Sequence, residues 1–256
     1  HRQTLKQTWD RANQLAHALN THGIEIGDRI ASFMWSNYRH LELYQGVPSM
    51  GSVLHTLNIR LSSTDLEYII NHAGDKIIFA DEDLLPLLEP LWGKVPCVEL
   101  LVICRHGEGG ESSFENQIDY EDFIAAQATE YDWPEIDETS PMGLCYTSGT
   151  TGKPKGVMYT NRSTYLHTMA ECLTDSLGLS SLDSVLGIVP MFHAMGWGLP
   201  FCASMLGCKQ VMPHRFMTPD AFLQLIHDEK VTISAGVPTI WQGVRATLEA
   251  NPAKYD

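Results

Sequence analysis

Two hydrophobic rhythms alternate along the first part of the chain. Over residues 8–20 the apolar positions Ala12, Leu15, Ala16 and Leu19 recur three and four apart, which predicts an amphipathic helix with Gly23 as its stop. Residues 29–34 form an apolar run of strand length, and Asn37 stands where it would cap a helix running through 41–45. Thr64-Asp-Leu-Glu67 has the spacing of a capping box and opens a helix through His72 to Gly74. Residues 76–80, closed by Asp81, and residues 98–104 are further strand-length runs. Helix and strand patterns taking turns in this way predict an α/β fold with a largely parallel sheet.

The rhythm then pauses. Between Arg105 and Lys153 there is no lysine or arginine, while acids stand at 108, 111, 115, 119, 121, 122, 130, 132, 135, 137 and 138. Such a run reads as a solvated surface segment and linker, with a subdomain boundary near 130–140, dividing the chain into regions 1–135 and 136–256. Beyond it, 142–146 reads as a strand, 162–177 as a helix, and 184–189 and 209–212 as strands. Thr218-Pro219 supplies an N-cap with proline at the first helical position, for a helix ending near Lys230. A last short strand over 232–235 precedes a helix from about Pro238. Residues 185–208 lack Asp, Glu, Lys and Arg, but Pro190, His193, Pro200 and four glycines interrupt them. A membrane-spanning helix needs ~20 nearly uninterrupted apolar residues, so a buried strand, a loop and a packed helix are expected instead.

Composition narrows the function. The 256 residues are 44% hydrophobic, enough for a sizeable core and too many for bulk disorder. With 17 basic against 31 acidic side chains the net charge is −14, which excludes a non-specific nucleic-acid binder. Any anion must therefore be met by local donors. The six cysteines (97, 104, 145, 172, 202 and 208) include no C-x-x-C pair and read as reduced, mostly buried thiols, Cys145 among them. The first ten residues are polar and charged, so the expectation is a cytoplasmic protein, at most peripheral to a membrane.

The local donors lie in Tyr146-Thr-Ser-Gly-Thr-Thr-Gly-Lys-Pro-Lys-Gly-Val157, directly after a predicted strand. Glycines let the backbone N–H groups approach a phosphate, hydroxyls donate to its oxygens, and lysine adds charge. A Walker A loop does not fit: its first glycine would fall on Thr147, and Pro154 stands in the Ser/Thr position. The chain also returns into a strand at 156–159 instead of a helix, so a helix N-terminus is not the anion site.

This loop resembles the signature of the adenylate-forming superfamily, which includes acyl-CoA synthetases, firefly-type luciferases and peptide-synthetase adenylation domains. The likeness extends over the chain. Gly51-Ser-Val-Leu-His-Thr-Leu-Asn-Ile-Arg-Leu61 and Tyr68-Ile-Ile-Asn-His-Ala-Gly-Asp-Lys-Ile-Ile-Phe-Ala-Asp81 resemble N-terminal blocks of fatty-acyl-CoA synthetases. Val189-Pro-Met-Phe-His-Ala-Met-Gly-Trp-Gly-Leu-Pro200 resembles their histidine motif, and Ala235-Gly-Val-Pro-Thr-Ile-Trp241 the block after it.

The resemblance implies the large N-terminal domain of that fold, with stacked, mostly parallel sheets flanked by helices. It implies a medium- or long-chain fatty acid–CoA ligase using ATP, Mg²⁺ and coenzyme A. Thr147, Ser148, Gly149, Thr150, Thr151, Gly152 and Lys155 would cradle the β- and γ-phosphates, with Thr147 also on the metal and Lys153 at a variable position. His193 would lie beside the substrate carboxylate as the catalytic candidate, and Phe192, Trp197 and Val237 would meet the acyl chain. Trp197 aligns with a tryptophan that closes the acyl tunnel until ATP binds, and Met191, Met195, Leu199, Phe201 and Trp241 add apolar lining. A homodimer is a further expectation. The family's adenine-binding Tyr-Gly-x-Thr-Glu block, ribose aspartate and lysine-bearing C-terminal domain have no counterpart in these 256 residues. The chain is therefore expected to be a truncated part of the domain, inactive alone. The alternatives are a non-catalytic nucleotide- or acyl-binding module and an aryl-CoA ligase. A peptide-synthetase domain would carry an aspartate where Phe192-His193 stands.

Overall fold

A computed structural model describes residues 1–107, 111–147 and 152–255. The first helical pattern forms α1 (Leu5–Thr21), with Ala12, Leu15, Ala16 and Leu19 buried as their spacing requires. Thr4 and Gln7 close its N-terminus as a capping box, and Gly23 follows its end at φ 73°. Then come β1 (Arg29–Phe33), α2 (Tyr38–Ser49), β2 (Val53–Thr56), α3 (Ser63–Ala73), β3 (Asp75–Asp81) and the short α4 (Leu85–Leu88). β4 (Leu100–Cys104), β5 (Gln117–Asp119), α5 (Tyr120–Ala125), β6 (Pro141–Thr147) and β7 (Lys155–Thr160) complete a seven-stranded sheet of order β5-β4-β3-β1-β2-β6-β7. All its neighbours pair in parallel except β6 and β7, which form an antiparallel hairpin. Among the described residues, the α/β reading with a mostly parallel sheet flanked by helices is what the chain adopts.

The remainder builds α6 (Asn161–Glu171), β8 (Ser184–Gly187), α7 (Leu199–Leu206), β9 (Lys209–Val211), α8 (Pro219–Glu229), β10 (Ile233–Ala235) and α9 (Pro238–Ala250). β8 lies between β10 and β9 in a three-stranded parallel sheet. Successive residues of β8 serve opposite faces. Val185 joins a core with Leu199, Cys202 and Ala203 of α7, while Leu186 packs with Phe222 and Leu223 of α8 and Val244 of α9. Thr218 caps α8 by accepting from the Ala221 N–H, with Pro219 in the first turn. Two compact units result: His1–Met34 with Arg39–Thr164, and Trp35–Tyr38 with Tyr165–Asp256. The division falls past the acidic segment, because β6 and β7 complete the first unit's sheet.

Three local expectations are corrected, and one strand, β2, lies outside them. The cap of α3 is Ser62, whose hydroxyl accepts from the Asp65 N–H, so Thr64 already lies inside the first turn. β2 has no separate sequence signal, because it is only four residues long and His55 and Thr56 end its apolar run after Val53 and Leu54. The acidic stretch is more than a linker. It supplies edge strand β5 and α5, which buries Tyr120, Phe123 and Ile124, and then lies along α1, with Trp133 stacked 5.1 Å from Trp9 and Glu130 C=O 2.7 Å from His17 Nε2. The helix expected over 162–177 stops at Glu171, since Leu173 and Leu177 are exposed and bury no apolar face that would extend it. No helix among the described residues is long and apolar enough to cross a membrane.

Candidate functional site

The first cluster is built on the β6–β7 hairpin. Antiparallel register places Thr147 opposite Lys155, and both are exposed, so a hydroxyl and an ammonium stand together at the base of the loop. Ser148, Gly149, Thr150 and Thr151 lie outside the described residues. Gly152 takes φ 127°, a conformation open to glycine and strained for any other residue. Lys153 Nζ lies 4.7 Å from the centre of the Tyr68 ring, a cation–π contact that engages this lysine on α3. Lys155 is instead fixed at its backbone by the strand. The exposed hydroxyl of Thr147 is a hard oxygen donor, of the kind that a phosphate-bound Mg²⁺ takes, so the donor chemistry present fits that ion.

Behind the hairpin the packing is polar. Tyr146 Oη and His72 Nδ1 share a 2.6 Å hydrogen bond, and Tyr68 and His72 sit one helical turn apart on α3. Burial, with the Asp75 and Tyr68 charges adding, pushes the Tyr146 phenol up to about 12, so it remains a neutral hydroxyl at physiological pH. Deeper still, His55 Nδ1 lies 2.8 Å from Asp75 Oδ2, both side chains fully buried, and the ring packs 5.2 Å from Tyr146. Burial drives the Asp75 carboxyl up while His55 draws it down. Cys145 is buried, its Sγ 3.2 Å from Thr56 Oγ1, as expected of a structural thiol, and none of the six cysteines is joined in a disulfide.

The second cluster belongs to the second unit. After Pro190 the chain buries Met191 and Phe192, the latter packed edge-on 6.4 Å from Trp35, and presents His193 exposed in an extended conformation. Ala194, Met195, Gly196, Trp197 and Gly198 then take φ of 47°, 50°, 60°, 56° and 81°. A left-handed turn costs a non-glycine residue roughly 1–2 kcal/mol, so three of the five hold strain. Trp197 is 41% exposed. Beside the turn lies a hollow of about 340 Å³, open to solvent, lined by Val185, Met191, Gly196, Leu199, Pro200 and Val211 among others. Met191 and Leu199 line this hollow, whereas His193, Trp197 and Val237 do not; Val237 is an exposed residue at the start of α9.

Helix α6 grips the turn. His167 Nε2 lies 3.0 Å from the Trp197 carbonyl and 3.4 Å from Glu171 Oε1. Gly198 makes room for this, since a Cβ there would meet His167 Cδ2 at 2.5 Å and Nε2 at 2.7 Å. Burial pushes the Glu171 carboxyl up against the pull of His167, and its Oε2 is buried with no hydrogen-bond partner. Sequence reasoning did not find His167, Tyr68 or His72. Their partners lie 30, 85 and 74 positions away, and only the i, i+4 spacing of Tyr68/His72 and of His167/Glu171 on their helices marks them beforehand.

Against this geometry, residues 1–256 match the family described as AMP-binding enzyme, and the chain belongs to that family. It is 42% identical over 254 residues to a medium-chain-fatty-acid–CoA ligase of Ectopseudomonas oleovorans, covering 99% of this chain and 46% of the ligase. Identity is 41% over 250 residues with a long-chain-fatty-acid–CoA ligase of Thermus thermophilus, covering 98% and 45%. An anthranilate CoA ligase, AuaEII, solved in complex with anthranoyl-AMP, superposes with a TM-score of 0.86 at 25% identity, covering 98% of this chain and 47% of that one. The chain spans about half the length of the curated relatives it matches.

Proposed function

We propose that the chain carries the phosphate loop and acyl-site segment of an ATP-dependent fatty acid–CoA ligase, both within residues 136–256. In that reaction a carboxylate attacks the α-phosphorus of ATP, giving acyl-AMP and pyrophosphate, and the thiol of coenzyme A then displaces AMP. The observation that carries the reading is the hairpin: a hydroxyl and a lysine paired at the base of a Gly/Thr/Ser loop, in a chain of net charge −14.

Thr147, Ser148, Gly149, Thr150, Thr151, Gly152 and Lys155 hold the β- and γ-phosphates, with Lys155 opposing the charge that gathers on departing pyrophosphate. Thr147 is a ligand for Mg²⁺, which when bound neutralises phosphate charge. His193 orients the fatty carboxylate, and Phe192, Trp197 and Val237 bound the route of the alkyl chain. The two ligases of fatty acids among the relatives favour an aliphatic over an aromatic acid. The same reading takes the cytoplasm as the compartment and a homodimer as the assembly.

Calorimetric titration of MgATP into the complete gene product tests the nucleotide half of the proposal. Lys155→Ala is expected to weaken binding by about tenfold or more, the loss of a charge-assisted contact. Equal affinity in wild type and Lys155→Ala would remove the phosphate role.

A further inference from the structure

The left-handed turn at 194–198 is held from outside its own segment, and the geometry points to His167 as its latch. We propose that His167 of α6 is a positioning residue for the acyl site: its Nε2–H donates to the Trp197 carbonyl, keeps 194–198 in the left-handed conformation, and so fixes where the Trp197 indole stands. The functional part of this inference rests on the fatty-acid reading above; the mechanical part does not.

Three independent features meet here. The turn runs through five successive positive φ values, at Ala194, Met195 and Trp197 as well as at two glycines, a conformation that persists only where surroundings impose it. Two oxygens, Trp197 C=O at 3.0 Å and Glu171 Oε1 at 3.4 Å, face the same ring nitrogen, which sets His167 as the Nε2–H tautomer and makes it the donor. Gly198 supplies the third: the imidazole occupies the space in which any Cβ at 198 would stand, 2.5 Å from Cδ2. Glu171, one turn along α6 with only 9% of its side chain exposed, backs the ring from the same helix. The neighbouring packing anchors this end of α6, as Cys172 Sγ lies 3.5 Å from Cys202 Sγ of α7. Because Gly196, Leu199 and Pro200 line the apolar hollow, whatever holds the turn also shapes that hollow.

The test pairs backbone hydrogen exchange with steady-state kinetics on the complete gene product, comparing wild type, His167→Ala and His167→Gln. The glutamine amide restores an N–H donor near the position of Nε2. In His167→Ala, amides of 194–198 are expected to exchange about five- to tenfold faster, the equivalent of one lost hydrogen bond. KM for the fatty acid is expected to move severalfold while KM for ATP stays constant, and His167→Gln is expected to restore both. Unchanged exchange at 194–198 in His167→Ala, or a His167→Gln protein that exchanges like the alanine variant, would overturn the latch. Faster exchange with an unmoved fatty-acid KM would overturn the positioning role. Failure of the fatty-acid reading itself is distinguishable, since wild type would then turn over no fatty acid while the exchange arm still decides the latch.

Discussion

Two arginines converge on Glu121, one from α1 and one from α2. Arg11 makes a bidentate pair with it at 2.9 and 3.1 Å, and Arg39 Nε donates at 2.9 Å. Arg11 also donates at 2.7 Å to Glu42, which is fully buried and further satisfied by the Tyr120 hydroxyl at 2.7 Å. Partial burial pushes the Glu121 carboxyl up, but the hydrogen bonds from Arg11 and Arg39 outweigh it and hold it below the usual carboxylate range. A depressed carboxylate stabilises the fold above its unfolded pKa, and that contribution is lost as pH falls through the folded value. Glu121→Gln is therefore expected to lower unfolding free energy by about 1 kcal/mol at neutral pH, the side chain being half exposed, and by nothing once both proteins are fully protonated. Urea unfolding of the two proteins across acid to neutral pH checks this. The burial of Glu42 is common to both and cancels. At this scale the sequence was partly readable. Lys155 and Thr147 announced themselves because a strand, a loop and a strand are contiguous, whereas the His167–Trp197 and Lys153–Tyr68 contacts join distant segments.

Elements with a repeating face or a long apolar run were legible, and short buried strands with polar residues in them were not. α1 follows from its apolar spacing and α8 from a cap and a proline that stand next to each other in the chain. β2 does not, although it pairs with both β1 and β6 in the interior of the sheet, because Val53-Leu-His-Thr56 has only two apolar residues in succession before two polar ones. Leu54→Ala is expected to cost about 3 kcal/mol, against under about 0.5 kcal/mol for Leu182→Ala, whose side chain is almost wholly exposed. Chemical denaturation of the two variants separates them. The α3 cap gives a second measurement. Ser62→Ala is expected to cost about 1 kcal/mol and Thr64→Ala only tenths, since Ser62 alone holds the orphan N–H of Asp65. Equal costs would return the cap to Thr64.

Across the whole molecule, the family was more legible than subdomain detail. The motifs that carry the resemblance fall where chemistry constrains residue type, and the match to AMP-binding enzymes over 1–256 agrees with them. The acidic stretch misled for a physical reason: charge density says that a surface is solvated, not that the backbone beneath it is irregular, and α5 buries one face while exposing the other. We propose that this chain serves fatty-acid adenylation, which acid-dependent ATP–pyrophosphate exchange by the complete gene product across C6 to C16 acids measures. Exchange that requires a fatty acid and falls by about two orders of magnitude in Lys155→Ala is the predicted result. Exchange absent with every fatty acid, or undiminished without the Lys155 ammonium, would contradict it.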